Sequence, residues 1–299
     1  MTRWTLALCL MACGSPDAPS GLDAEVDAGL DAALPRYDGG WGGHAMLTWG
    51  PLDIAHRGGA AERPEHTLLA YRHALDVGAD VLELDLHRSS DGAVVVMHDD
   101  TVDGTTDGSG AVAEMSLAEL RALDAGHQFG RSDGFPYRGT GLTVPTLEDV
   151  LDAFPDALFL IELKANDARM DTQVVDALTS RSMGAQVVIT AVSDEPLARV
   201  RALDPSIATG MSASEMVTFS LLRPSQEARY RAPAPVAAPP HGNVDSALVT
   251  KLRRFGLFLQ VWTVNDEATM ERLIDLGVLG IITDRPSLLE EVFTRRGLR

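Results

Sequence analysis

The chain has 299 residues and a formal net charge of −18 at pH 7, with 45% hydrophobic and 23% charged residues. This length suits one large α/β barrel or two smaller domains, and either can bury a sizeable core. The acidic balance argues against a nucleic-acid partner and against unaided adhesion to an anionic membrane, since both need clustered Lys and Arg.

The first residues predict a secretory signal. Arg3 precedes an apolar run over residues 5–12 that is far shorter than the ~20 residues of a membrane-spanning helix. Residues 10–14 resemble a bacterial lipobox, in which Cys13 would be acylated after cleavage. An ordinary signal with a chance cysteine is the alternative. We therefore predict a signal peptide at residues 1–12 and a location in the bacterial cell envelope, where the protein would be lipid-anchored, periplasmic or secreted.

An acidic stretch rich in Ala, Gly and Pro follows the predicted signal. It has too little apolar surface to fold, so residues 13–50 are predicted to be a flexible acidic tether between a membrane anchor at Cys13 and the folded part. The two cysteines are Cys9 and Cys13, so the predicted folded part has neither a disulfide nor a thiol nucleophile. We predict a membrane partner through the lipid anchor and no protein partner.

From residue 51 onward, apolar β-rich runs alternate with amphipathic helix-like segments, which is typical of a barrel or a doubly wound sheet. Eight such strands are predicted, at residues 52–55, 81–86, 158–163, 186–191, 207–211, 235–238, 257–262 and 280–283. Helices are predicted near residues 65–77, 146–154, 170–181, 195–202, 212–221, 244–255 and 266–276. Eight strands and a typical length of ~250 residues predict a (β/α)8 TIM barrel over residues 51–299.

One apolar run breaks the alternation. Residues 94–98 follow the second strand after a turn containing Asp91 and Gly92, which is too short to join parallel strands. We therefore predict the return strand of a hairpin and a Gly-rich loop, which together form an insertion at about residues 93–144. The insertion should lie over the C-terminal mouth of the barrel, where the active sites of such barrels are built.

Acidic side chains stand near the ends of two predicted strands. Glu83 and Asp85 share one face of the second strand, and Glu162 shares a face with Lys164 on the next barrel strand. The neighbouring apolar residues indicate a buried strand, where unpaired carboxylates would be expensive. The sequence therefore predicts a divalent cation, Mg²⁺ or Ca²⁺, bound by Glu83, Asp85 and Glu162.

Two histidines at strand ends are predicted to transfer protons, because the ordinary imidazole pKa of ~6.5 is close to working pH. His56 is predicted as the general base and His98 as the general acid. Arg57 and Lys164 would place positive charge beside phosphoryl oxygens, although Lys164 could instead merely neutralise Glu162. This set of groups is what phosphodiester cleavage needs, so we predict a metal-dependent phosphodiesterase.

These residues belong to a series of motifs that resembles the glycerophosphodiester phosphodiesterase family. In order, the motifs are His56-Arg57-Gly58, Pro64-Glu65-His66-Thr67, Gly78-Ala79-Asp80, Glu83-Leu84-Asp85, Asp91-Gly92, His98-Asp99, Thr105-Thr106, Glu162-Leu163-Lys164, Trp262-Thr263-Val264-Asn265 and Thr283-Asp284. The similarity runs from about residue 54 to residue 286. It implies hydrolysis of glycerophosphodiesters to glycerol 3-phosphate and an alcohol, in which the substrate's own glycerol hydroxyl attacks phosphorus and water then opens a cyclic phosphate.

The resemblance also bears on four other positions. It places Trp262 at the mouth beside the substrate, whereas the residue type alone would equally suit a core aromatic. Glu65, at the start of a predicted helix, is a possible site residue that would help the metal or the loop after the first strand. His66 stands where asparagine is commoner, a variant associated with periplasmic members of the family. Gly104 stands where arginine is usual, which removes a positive charge near the substrate and leaves the headgroup preference open.

Two other functions stay open at this point. A phospholipase D-like enzyme on the same scaffold would act on whole lysophospholipid or sphingolipid, and four apolar side chains near the insertion keep that alternative open, namely Phe129, Phe135, Tyr137 and Leu142. A non-catalytic ligand-binding lipoprotein would be expected to have lost an acid/base or metal group, and none is lost here.

Overall fold

The computed structural model describes residues 43–48 and 50–299. In these residues the strands are β1 (Leu52–Ala55), β2 (Val81–Arg88), β3 (Val94–Val96), β4 (Leu158–Leu163), β5 (Val187–Thr190), β6 (Ala208–Thr209), β7 (Val236–Ala237), β8 (Phe258–Val261) and β9 (Gly280–Thr283). The α-helices are α1 (Leu68–Val77), α2 (Leu117–Arg121), α3 (Leu147–Ala153), α4 (Ala168–Ser180), α5 (Asp194–Leu203), α6 (Ala213–Ser220), α7 (Pro224–Glu227), α8 (Ser246–Arg254), α9 (Glu267–Leu276) and α10 (Pro286–Arg295).

Eight parallel strands form a nearly closed barrel. Their hydrogen-bonded order is β6-β5-β4-β2-β1-β9-β8-β7, and a parallel bridge between Gly210 and Val236 joins the two ends of this series. The predicted TIM barrel is therefore confirmed. All eight predicted strands occur, although β5, β6, β7 and β8 are shorter than predicted.

The hairpin insertion after the second barrel strand is also confirmed. β3 pairs antiparallel with β2, with Leu86 opposite Val96. The insertion has a small apolar core of its own, built from Val95, Met97, Val102, Val112, Leu120, Ala125 and Val144. It also contains α2, which the sequence analysis missed; Ser116 caps this helix by accepting a hydrogen bond from the amide of Glu119.

Strand alternation explains how the barrel presents its polar residues. Leu52, Ile54, Val81, Leu160, Val188, Phe258 and Ile282 belong to one buried cluster inside the barrel. Side chains two residues apart share a face of a strand, so the inward series of β2 continues from Val81 to Glu83 and Asp85. Apolar residues therefore fill the barrel below, and the carboxylates lie above them toward the C-terminal ends of the strands.

The packed chain begins before the predicted boundary at residue 51. Met46 is 1% exposed and belongs to the interior cluster, and the amide of Ala45 donates to the carbonyl of Ala185 over 3.2 Å. Residues 44–47 therefore pack against the barrel, although they were included in the predicted tether. The predicted signal peptide and Cys13 lie outside the described residues. Among those residues, no helix is long and apolar enough to cross a membrane.

Candidate active site

A tight turn after β1 places the first two polar residues of the site. His56–Gly58 form a short 3-10 turn, within which Arg57 has φ 54° and Gly58 has φ 80°. A Cβ atom at position 58 would lie 2.9 Å from the Cβ of Ala70, so only glycine fits this turn against α1. The turn directs the amide of Arg57 to Glu83, to which it donates over 2.7 Å.

Three carboxylates converge at the C-terminal ends of β2 and β4. Glu83, Asp85 and Glu162 each present an oxygen within 4.8 Å of the others, and the strand register pairs Asp85 with Glu162. Burial, together with the charge of Asp85, raises the pKa of Glu83 to about 8. Asp85 is 1% exposed, and its Oδ1 has no hydrogen-bond partner. Closely spaced oxygens of this kind, two of the three from buried side chains, could hold a metal ion, as predicted.

Two cationic side chains flank the acidic cluster. The Nζ of Lys164 lies 3.3 Å from Asp85 Oδ1 and 3.2 Å from Glu162 Oε1. The Nε of Arg57 lies 3.8 Å from Asp85 Oδ2, while its Nη1 donates to Glu65 over 3.0 Å. Lys164 therefore does contact Glu162, but it is shared with Asp85, and both cations border the space where the carboxylates meet.

His56 is held by an aspartate that the sequence analysis quoted only as part of a motif. Its Nδ1 lies 2.6 Å from Asp284 Oδ1, and the Nδ2 of Asn265 donates to Asp284 Oδ2 over 2.6 Å. Burial alone would lower the pKa of His56, but the bond to Asp284 and the charge of Glu83 raise it above its ordinary value. This pair fixes the ring and leaves Nε2 on the side of Arg57, whose Nε donates to it over 3.3 Å.

His98 is held in a similar way from the insertion. Its Nδ1 lies 2.8 Å from Asp99 Oδ1, and the Nε2 of His87 donates to its backbone carbonyl over 3.1 Å. Partial burial lowers the pKa of His98, and the charge of Lys164 adds to this effect. The amide of Met97 donates to the carbonyl of Asp85 over 3.0 Å, which ties this segment to the acidic cluster.

Gly104 lies beside the same aspartate. A Cβ atom at this position would lie 3.0 Å from Asp99 Oδ2, so a larger residue would press on the carboxylate that holds His98. The glycine therefore leaves room for Asp99 to keep its hydrogen bond to His98.

The remaining predicted residues are also near the mouth. The helix predicted from residue 65 begins at Leu68, because Thr67 caps it, so Glu65 lies in the preceding turn and pairs with Arg57 instead of favouring a helix dipole. Trp262 is 45% exposed, and its indole donates to the carbonyl of Ala238 over 2.7 Å. Trp262 is therefore not a core aromatic.

Replacing Asp284 with asparagine should weaken catalysis without unfolding the chain. His56 and Asn265 both donate hydrogen bonds to the carboxylate of Asp284. An asparagine amide would have to turn its own N–H group toward one of these two donors. The imidazole of His56 would therefore lose its fixed orientation. We expect kcat to fall at least about tenfold, but by less than the factor of about 10²–10⁴ that a whole general acid or base contributes. The control is Asp275→Asn, which changes a 63%-exposed carboxylate paired with Arg296. Equal kcat for both variants would contradict a positioning role for Asp284.

The family can now be assigned from comparison with known proteins. A profile of the glycerophosphoryl diester phosphodiesterase family matches residues 56–288, which include every site residue described above. The chain belongs to this family. The prediction of an enzyme of the phosphoric diester hydrolase class is thereby confirmed.

Individual relatives agree with this assignment. A glycerophosphodiester phosphodiesterase of Bacillus subtilis (strain 168) is 37% identical over 256 residues, which cover 81% of this chain and 86% of the relative. The crystal structure of a glycerophosphodiester phosphodiesterase from Agrobacterium tumefaciens is similar with a TM-score of 0.69 and 28% identity, covering 81% of this chain and 99% of that one. A phosphodiesterase from Oleispira antarctica, in complex with the product sn-glycerol-3-phosphate, has a TM-score of 0.71 and 25% identity, covering 83% and 99% of the two chains.

Proposed function

We propose that the chain is a metal-dependent glycerophosphodiester phosphodiesterase that releases glycerol 3-phosphate and an alcohol by proton transfer at His56 and His98. The observation that carries this proposal is the meeting of three carboxylates within 4.8 Å beside two histidines, each of which has its Nδ1 bonded to an aspartate. The Oleispira antarctica relative, which was solved with sn-glycerol-3-phosphate, supports the choice of product.

The charges of the site suit an anionic phosphodiester. Glu83, Asp85 and Glu162 would hold the cation, and Mg²⁺ or Ca²⁺ suits their oxygen ligands. When bound, such an ion would neutralise negative charge on the phosphoryl oxygens. Arg57 and Lys164 border the carboxylates and would bind the remaining phosphoryl charge. The exposed face of Trp262 would contact the substrate at the mouth.

In the first step of the reaction, His56 acts as the general base and His98 as the general acid. The Nε2 of His56 accepts the proton of the glycerol hydroxyl next to the phosphoester, and Asp284 stabilises the imidazolium that forms. The hydroxyl oxygen attacks phosphorus, and the bond from phosphorus to the alcohol oxygen breaks. His98 donates its proton to that oxygen, so that the alcohol leaves and a cyclic phosphate remains. Water then opens the cyclic phosphate to glycerol 3-phosphate, with the two histidines exchanging roles.

The phospholipase D-like alternative is not favoured. Phe129 and Tyr137 pack edge to face at 5.5 Å, and the guanidinium of Arg138 lies 3.3 Å from the ring centre of Phe135. Leu142 packs against the core of the insertion. These side chains are half-buried and each packs against another part of the insertion, so they do not form an open apolar mouth. Membership of an enzyme family also argues against the non-catalytic lipoprotein.

A substrate comparison tests the proposed activity. The purified chain should release glycerol 3-phosphate from glycerophosphocholine in the presence of Mg²⁺ or Ca²⁺. Its kcat/KM should be lower on lysophosphatidylcholine, because the insertion offers the acyl chain no open apolar mouth. The measurement is a coupled assay of glycerol 3-phosphate and choline. A higher kcat/KM on the lysophospholipid would contradict the proposal and restore the phospholipase D-like alternative.

We also propose that Cys13 is acylated and holds the enzyme at the bacterial envelope, since the motif at residues 10–14 resembles a lipobox. Cys13→Ser should move the protein from the membrane fraction to the soluble fraction, because so acidic a chain has no other evident attraction to an anionic membrane. The control is Cys9→Ser, which should fractionate like the unmodified chain. Unchanged membrane fractionation of Cys13→Ser would contradict the anchor.

A further inference from the structure

A buried histidine and a buried tyrosine support the carboxylate of Asp85. His66 is 3% exposed and Tyr71 is fully buried. The Nε2 of His66 lies 3.0 Å from Asp85 Oδ2, and its Nδ1 lies 2.9 Å from the hydroxyl oxygen of Tyr71. The three side chains therefore form a continuous row of hydrogen bonds that ends on one of the proposed metal ligands.

The chemistry of the groups sets the direction of these hydrogen bonds. An ionised carboxylate only accepts, so the Nε2 of His66 carries the proton that it shares with Asp85. When the ring is neutral, its Nδ1 accepts, and the hydroxyl of Tyr71 is the donor that it meets there. Burial, together with the charge of Glu83, raises the pKa of Tyr71 well above its ordinary value, which keeps that hydroxyl protonated.

This arrangement distinguishes the two oxygens of Asp85. Oδ2 is occupied by His66, whereas Oδ1 is buried and has no hydrogen-bond partner, with the Nζ of Lys164 3.3 Å away. We propose that His66, oriented by Tyr71, is a positioning residue that holds Oδ2 of Asp85 and so presents Oδ1 to the divalent cation. This inference rests on the metal centre of the proposed function.

The backbone around the pair restricts both rings. His66 has φ 57°, and its amide donates to the carbonyl of Arg57 over 3.0 Å, so its turn is tied to the loop after β1. The ring of Tyr71 packs edge to face on Phe154 at 6.2 Å, and its Cδ1 lies 3.0 Å from where a Cβ of Gly58 would be. Neither ring can turn away from Asp85 without disturbing α1 or this loop.

Direct measurement of ion binding tests the inference. The probe is Mn²⁺, titrated into the metal-stripped full chain and followed by electron paramagnetic resonance, with Ca²⁺ binding by calorimetry as a second reading. His66→Leu should weaken binding about 10–100-fold, as expected when a group that orients a metal ligand is removed. Tyr71→Phe keeps the ring and removes only the hydroxyl, which orients His66 and does not touch Asp85, so it should weaken binding by a smaller factor of about three or more.

Two further variants separate positioning from a general effect on the fold. His66→Gln can keep an N–H group near the position of Nε2, and it should recover most of the affinity lost in His66→Leu. His73→Leu is the matched control, because His73 lies on α1 and contacts Glu62 at 2.7 Å instead of the carboxylate cluster. Its ion affinity should equal that of the unmodified chain. Excess Mg²⁺ should restore part of the activity of folded His66→Leu, because mass action fills a weakened site.

The outcomes test the positioning role of His66 separately from the proposed metal centre. If folded His66→Leu binds Mn²⁺ as tightly as the unmodified chain, the positioning role is wrong while the metal centre stands. If His66→Leu does not fold, Tyr71→Phe and His66→Gln decide, and unchanged affinity in Tyr71→Phe contradicts the proposed orientation by its hydroxyl. If the unmodified chain binds no ion, the metal centre itself is wrong and the inference falls with it.

Discussion

Replacing His98 with alanine should nearly abolish cleavage of glycerophosphocholine but should spare cleavage of a glycerophosphodiester whose leaving group is 4-nitrophenol. An alkoxide needs a proton in order to leave, whereas a nitrophenolate leaves without one. Loss of a general acid therefore costs about 10²–10⁴ in rate for the first substrate and much less for the second. The measurement is kcat/KM of the variant on both substrates relative to the unmodified chain.

His56→Ala should slow both substrates by a similar factor, because the attacking hydroxyl must lose its proton whichever group leaves. The control is His127→Ala, which changes a histidine of the insertion that is 30% exposed and lies 3.7 Å from Asp124. It should leave both rates within about threefold of the unmodified chain, since it removes no proposed acid or base. Equal losses on the two substrates in His98→Ala would contradict the role of general acid, and the reverse pattern would exchange the roles of the two histidines.

An analogue of glycerophosphocholine without the hydroxyl next to the phosphoester should bind but should not be cleaved. The site offers two histidines and three carboxylates but no side chain proposed as a covalent nucleophile. The substrate's own hydroxyl is held beside phosphorus, and attack of this intramolecular kind can have an effective molarity of about 10⁵ M or more. The measurements are choline release from the analogue, its inhibition constant against glycerophosphocholine, and ³¹P NMR of the normal reaction.

The NMR spectrum should show a cyclic phosphate before glycerol 3-phosphate accumulates. If the analogue is cleaved at a comparable rate and no cyclic phosphate is trapped, direct attack by water replaces the proposed route. That result would leave the family and the acidic cluster unchanged.

The acidic part of the site could be predicted from sequence because two regularities suffice for it. Side chains alternate along a strand, and the C-terminal ends of parallel strands meet at one rim of a barrel. Glu83, Asp85 and Glu162 are therefore placed together once β2 and β4 are recognised, and the register that pairs Asp85 with Glu162 agrees with this. The hairpin followed from the same reasoning, since its turn is too short for a parallel connection.

The partners of the histidines could not be read from local sequence. Asp284 contacts His56 across 228 residues, and nothing near either residue marks the pair. A signal was nevertheless present: β1 and β9 are neighbours in a closed barrel, so polar residues just after each strand must meet. The use of both ring nitrogens of His66 depends on a left-handed backbone turn and on the packing of Tyr71, which no strand or helix period predicts.

The predicted start of α1 was wrong because a turn before the helix has the residues typical of a helix start. Pro64 and Glu65 look like the first residues of a helix, but Thr67 is the cap and α1 begins at Leu68. The last helix was missed although Pro286 marks its first turn. The insertion was taken as a loop because its apolar residues are widely spaced, and they form a cluster only after the chain folds back on itself.

The most direct test of the account is the activity of the metal-stripped full chain, with its metal content verified, as Mg²⁺ or Ca²⁺ is added back. We predict that glycerophosphocholine is not hydrolysed without an ion and that activity returns when one site per chain is saturated. Glu83→Gln alters one of the three converging carboxylates, so the same ion concentration should not restore the activity of this variant. Full hydrolysis by the stripped chain would contradict the proposed metal-dependent mechanism.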